Sequence, residues 1–297
     1  MAVLRPLESG YYVWKYLPSI PAAAVFAALF AIGLVLLSIR MFRTKTWFVV
    51  PLLVGVVFEC VGYIFRIVCQ PRTNALIPFI IQSLLLLVAP ALYAASIYMV
   101  LGRLIRHING QSYSVVPVRW MTKIFVIGDV VSFMVQGGGG GLMASNNRST
   151  ANMGNNLIIA GLVIQIVLFS FFATTAVIFH LRIRKAPVKE QYDTGVNWQR
   201  LMWMLYAASI LILVRSIFRL IEYVQGQEGY LLKSEWTLYV FDATLMFLAT
   251  MVFWRCYPAG IERPAVASSV NSQDHGVPMV ESPGYQGSHD TWGKGRQ

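Results

Sequence analysis

Seven ionisable side chains lie within stretches that are otherwise strongly apolar: Glu59, Arg66, Asp129, Arg215, Arg219, Glu222 and Asp242. An ionisable group at bilayer depth costs several kcal/mol, so such residues are candidates for function by default. Helical spacing gathers them into stripes. Glu59, Tyr63 and Arg66 fall at i, i+4 and i+7 and share one helix face, with Gly62 beside Tyr63. Asp129, Ser132 and Gln136 form a second stripe, Arg215, Arg219 and Glu222 a third, and Glu235, Tyr239 and Asp242 a fourth. Carboxylates facing guanidiniums in a medium of low dielectric either fix helix register as structural pairs or bind a charged or amphipathic solute. Both readings stand at this point, and Arg66, Arg219 and Glu222 have a third, as interface anchors that snorkel toward water.

The elements that must carry these stripes are membrane helices. The chain has 297 residues, 57% hydrophobic and only 12% charged, where a soluble domain carries about a quarter charged residues. A helix needs about 20 apolar residues to cross the hydrocarbon core. Seven stretches qualify: Ile20–Ile39, Trp47–Val68, Leu76–Leu101, Ile124–Met143, Leu157–Leu181, Leu201–Glu222 and Trp236–Trp254. The expected fold is therefore all-α, a polytopic bundle of seven transmembrane helices. The stripes fall on spans two, four, six and seven, which are expected to turn toward one another, with spans one, three and five as apolar supports. Trp14, Trp47, Trp120, Trp198, Trp236 and Trp254 fall near span ends and read as an aromatic belt.

Lys and Arg counting predicts the orientation. With the N-terminus outside and the C-terminus cytosolic, sixteen fall in cytosolic segments, five in outer segments and three in the membrane. The net charge of +11 thus reflects topology and not a nucleic-acid surface. Asn147-Arg148-Ser149 is a glycosylation sequon in a loop that this orientation places outside. The expected organisation is an extracellular segment 1–17, a membrane domain 18–258 and a disordered, Ser- and Gly-rich cytosolic tail 259–297.

The sequence offers no catalytic constellation, so no enzyme is expected. Three cysteines, Cys60, Cys69 and Cys256, form no CxxC pair. The histidines outside the tail, His107 and His180, are far apart, so no metal centre or cofactor is expected. Span seven lacks the lysine that a retinal protein needs. Gln136 is followed by five glycines, Gly137 to Gly141. That run is a poor helix former. It is expected either to fray the outer end of span four or to unwind it around a site, as in transporters with broken helices.

Glu59-Cys60-Val61-Gly62-Tyr63-Ile64-Phe65-Arg66 resembles the E-x-x-G-Y-x-x-R signature of the fungal RTA-like family. The resemblance continues through Pro90 to Tyr98, Gly102-Arg103, Asp129 to Gly139, Arg215 to Arg219, Glu222-Tyr223, Gly229-Tyr230, Glu235 and Tyr239 to Asp242. It covers roughly residues 15 to 260. Two departures are visible: Tyr257-Pro258 stands where such proteins often carry His-Pro, and the glycine run is longer than the family pattern. The family comprises seven-span proteins described as lipid-translocating exporters. Its members export sphingoid long-chain bases, confer resistance to toxic amphiphiles or are linked to porphyrin and haem movement. The resemblance implies a translocator of amphipathic lipids in the plasma membrane, or in a vacuolar or other internal membrane, serving lipid asymmetry and stress resistance. A seven-helix receptor for lipid-like ligands and a porphyrin carrier are the alternatives. The implied partners are membrane lipids or amphipathic small molecules. Neither nucleic acid nor a protein partner is indicated.

Overall fold

A computed structural model of the chain describes residues 19–70, 76–108, 110–143, 148–185, 197–225 and 235–261. These lie in a compact unit, Met1–Arg263; Pro264–Gln297 forms a second unit, outside the described residues. The sequon residue Asn147 and the segment 1–17 also fall outside them.

The described residues are helical, and seven long helices follow one another. They are α1 (Ile20–Thr44), α2 (Val50–Cys69, entered through a 3-10 turn at Trp47–Val49), α3 (Leu76–His107) and α4 (Val118–Met143). Then come α5 (Arg148–Lys185), α6 (Trp198–Val224) and α7 (Glu235–Arg255). Six are long and apolar enough to cross a membrane. The exception is α4, which is long enough at 26 residues; Asp129, Ser132, Gln136 and the glycine run dilute its apolar character. Pro21 sits at the start of α1, where its missing N–H costs no hydrogen bond. Lys45 closes the same helix in a left-handed conformation.

Side chains on the outward faces are apolar. Val25, Ile32, Val35, Ile127, Val167 and Ile210 are each more than half exposed, as lipid-facing positions must be. Polar groups instead turn inward: Glu59, Arg66, Asp129, Gln136, Arg215, Glu222 and Asp242 are all buried. This inversion of the soluble pattern fixes the class as a multi-pass membrane bundle.

Neighbouring helices pack in chain order, α1 on α2, α2 on α3, α3 on α4, α4 on α5 and α5 on α6. The lower part of α7, Leu245–Arg255, packs between α1 and α6. α3 also touches α6, and so takes a central position. Gly62 allows the α2–α3 approach, since a Cβ there would lie 2.7 Å from Leu86.

Two expectations about helix regularity are corrected. The glycine run neither frays nor unwinds; Gly137 to Gly141 continue α4 to Met143. In lipid the backbone has no water to bond, so helical hydrogen bonds persist even through glycine. The run serves close packing instead: a Cβ on Gly139 would lie 2.7 Å from the Gly154 carbonyl of α5. The irregular turn lies in α7, where Tyr239–Thr244 adopts a π-helix. There the Thr244 hydroxyl donates to the Tyr239 carbonyl at 2.9 Å.

Candidate functional site

Three stripes meet, those of α2, α6 and α7. At the centre, Arg215 Nε donates to Asp242 Oδ1 at 2.6 Å, and Arg215 Nη2 donates to the Leu86 carbonyl of α3 at 2.8 Å. Arg219, one turn along α6, lies 3.3 Å from Asp242 Oδ2 through Nη2 and donates to Glu222 through Nη1 at 2.9 Å. Asp242 lies within the π-helical turn. A π turn adds a residue to the helix and re-aims the side chains that it carries, here toward both guanidiniums of α6.

Arg66 at the end of α2 joins the start of α7. Its Nη2 donates to Glu235 Oε1 and its Nε to the Tyr239 hydroxyl, each at 3.2 Å. The Tyr239 hydroxyl donates to Glu235 at 3.1 Å. Both Glu235 oxygens accept from the Ser19 backbone N–H, at 2.8 and 3.0 Å, which ties in the start of α1. Arg66 also sits over the Tyr239 ring, 5.5 Å from its centroid. Arg66 is 1% exposed, so neither it nor the buried Glu222 snorkels to water.

Glu59 lies on the same face of α2 as Arg66 and is 1% exposed. Neither of its carboxyl oxygens has a hydrogen-bond partner among the described residues. The buried Tyr63 hydroxyl, one turn on, lacks one as well. Asp242, Arg215 and Arg219 lie within electrostatic reach of Glu59. The Tyr63 ring stacks with Phe30 of α1 and Tyr239 of α7, at centroid distances of 5.8 and 6.2 Å. Each of the three guanidiniums thus has a carboxylate partner, and Glu59 is the acid left over. An unpartnered buried carboxylate carries an uncompensated desolvation cost. A cation brought to it would relieve that cost.

The fourth stripe does not join this cluster. Asp129 accepts from the Tyr98 hydroxyl of α3 at 3.0 Å, among Phe125, Phe169 and Phe172. Gln136 donates to Gln165 of α5 at 3.0 Å. The polar face of α4 therefore looks onto α3 and α5 and not onto α2, α6 and α7. Nor are α1 and α3 plain apolar supports, since they supply the Ser19 N–H and the Leu86 carbonyl. These backbone groups, with Glu235 as a linking acid, were missing from the sequence-derived set. Glu235 was legible as part of the α7 stripe; the backbone donor and acceptor carry no sequence signal.

The fold and the cluster define a class: a polytopic helical membrane protein whose interior holds a network of buried ion pairs. A family model described as "RTA1 like protein" matches residues 52–263. The chain belongs to that family. Protein RTA1 of Saccharomyces cerevisiae is 35% identical over 278 residues, covering 84% of this chain and 86% of that one. Protoporphyrin uptake protein 1 of the same yeast is 35% identical over 281 residues, covering 83% and 92%. Its sphingoid long-chain base transporter RSB1 is 27% identical over 256 residues, covering 74% and 66%. No solved structure matches the chain.

Proposed function

We propose that the protein translocates amphipathic cations, of which sphingoid long-chain bases are the type, with Glu59 as the residue that meets the amine. The observation that carries this reading is the buried Glu59 carboxyl with both oxygens unpartnered. An ammonium group would complete its hydrogen bonding, and the stacked rings of Tyr63, Phe30 and Tyr239 begin one turn along the same face of α2. The long chain of the base would remain in lipid. A yeast relative named as a sphingoid long-chain base transporter agrees in substrate class. Arg66, Glu235 and Tyr239 close one end of the cluster. Arg215, Arg219, Glu222 and Asp242 hold its other carboxylates paired, so that Glu59 remains available. On this reading the protein works in the plasma membrane, N-terminus outside, where such export would serve lipid asymmetry and resistance to toxic amphiphiles.

Purified protein in liposomes should move a labelled sphingoid base between leaflets. Glu59→Gln keeps the shape and removes the acid. A lost charge-assisted contact is worth about 1.5–3 kcal/mol, so transport should fall by about tenfold or more. Normal transport by the variant would remove Glu59 from the mechanism. Saturable binding without movement would favour a receptor. Movement of labelled protoporphyrin but not of the base would favour the chemistry named in the other relative.

A further inference from the structure

A groove of about 460 Å³ runs along the outward side of α5 and α6, between Ala173–Arg184 and Trp203–Leu213. None of the charged cluster lines it. A cross-brace accounts for the space. The His180 and Tyr206 rings lie parallel with centroids 5.6 Å apart, and His180 Nδ1 is hydrogen-bonded to the Tyr206 hydroxyl at 2.8 Å. Two stacked rings between the helices hold them further apart than interdigitated aliphatic side chains would. Of the other lining residues, Val177, Leu181, Trp203 and Ile210 are apolar and exposed, and Ser209 is polar and buried.

One end of the groove differs. Arg184 lines it one turn beyond His180, on the same face of α5. It is exposed and makes no ion pair among the described residues. From Ala173 to Arg184 the helix rises about 16 Å, close to half of a hydrocarbon core about 30 Å thick. The groove is thus as long as one leaflet and ends at a single cation. It opens sideways from helices whose surroundings are the acyl chains of the bilayer.

We infer that this groove is a binding site for an anionic phospholipid, with one acyl chain along α5 and α6 and the phosphate on Arg184. Native mass spectrometry of the full-length protein in detergent, with phosphatidylserine and phosphatidylcholine in competition, tests it. The wild type should retain phosphatidylserine preferentially. Arg184→Gln should lower that retention by about tenfold, the worth of one charge-assisted hydrogen bond. Ile210→Trp, which fills the groove, should abolish retention of both lipids. Arg182→Gln, two residues away and so on another face of the helix, should leave it unchanged. Equal retention of the two lipids by the wild type, equal losses in Arg182→Gln and Arg184→Gln, or full retention by Ile210→Trp would each overturn the assignment. So would displacement of the lipid by inorganic phosphate at the same concentration, which would mark an anion site in place of a lipid site.

Discussion

Glu59 and Asp242 are both acids with 1% exposure, yet their surroundings set opposite expectations for their removal. Asp242 holds Arg215 and Arg219. Asp242→Asn would leave the buried Arg215 guanidinium without its carboxylate and Arg219 with Glu222 alone, and breaking a buried pair from one side costs about 3–5 kcal/mol. Glu59 holds nothing. Glu59→Gln removes an acid that makes no hydrogen bond among the described residues and orphans no partner, so stability should stay within about 1 kcal/mol of the wild type or exceed it. Thermal unfolding in detergent measures both. The expected pattern is a large fall in Tm for Asp242→Asn and none for Glu59→Gln, while transport is lost in both. A large fall for Glu59→Gln would show that the carboxyl is a structural partner after all. The stripes made the candidates legible, because spacing along one helix decides which residues share a face. Spacing does not decide which neighbour that face meets. For that reason Asp129 and Gln136 were expected with Glu59, although they bond to Tyr98 and Gln165.

At the scale of the element, the α4–α5 pair shows how glycine acts differently at adjacent positions. Gly139 and Gly154 face each other across the two helices: a Cβ on Gly154 would lie 2.5 Å from the Gly139 carbonyl and 2.7 Å from the Met143 backbone nitrogen. Backbone cannot rotate out of the way, so Gly154→Ala must push the helices apart, at a cost of roughly 1–3 kcal/mol. Gly140, one residue along, has nothing within 4 Å of its Cβ position. There Gly140→Ala meets open space and gains helix propensity, stabilising by about 0.4–1 kcal/mol. Opposite shifts in thermal midpoint are therefore expected from the same chemical change. Equal shifts would mean that α4 and α5 do not touch at these glycines. Helix positions were legible throughout, since each long apolar run became a helix; the ends differ, with α5 beginning at Arg148, well before Leu157, and α2 at Val50, after a 3-10 turn. The glycine run misled because helix propensity in water penalises glycine, whereas a membrane helix has no competing solvent for its backbone. The π turn at Tyr239–Thr244 left no trace in the sequence. Its residues suit an α-helix equally well, and only Thr244 and the inward pull on Asp242 mark the position.

For the whole molecule, the decisive question is whether α4 crosses the membrane, because it sets the sides of everything before and after it. It is absent from the six helices that qualify by length and composition. Two physical features argue that it crosses. Its polar residues Asp129, Ser132 and Gln136 are all buried, so the face left for lipid is carried by Ile127, Val130, Val131 and Met134. Its 26 residues, at 1.5 Å each, span about 39 Å, more than the hydrocarbon core requires. The loop charges then predict the direction: Arg103, Arg106, Arg119 and Lys123 flank its start, and after Met143 the next basic residue is Arg148. The positive-inside rule predicts a cytosolic α3–α4 turn and an outer α4–α5 connection. In a cysteine-free background, Gln111→Cys and Asn152→Cys place single thiols at exposed positions on either side of α4. A membrane-impermeant maleimide should label Asn152→Cys in intact cells and Gln111→Cys only after permeabilisation. Labelling of both in intact cells would mean that α4 does not cross. The reverse pattern would keep the crossing and invert the molecule, and it would carry the basic end of the α5–α6 groove to the opposite leaflet.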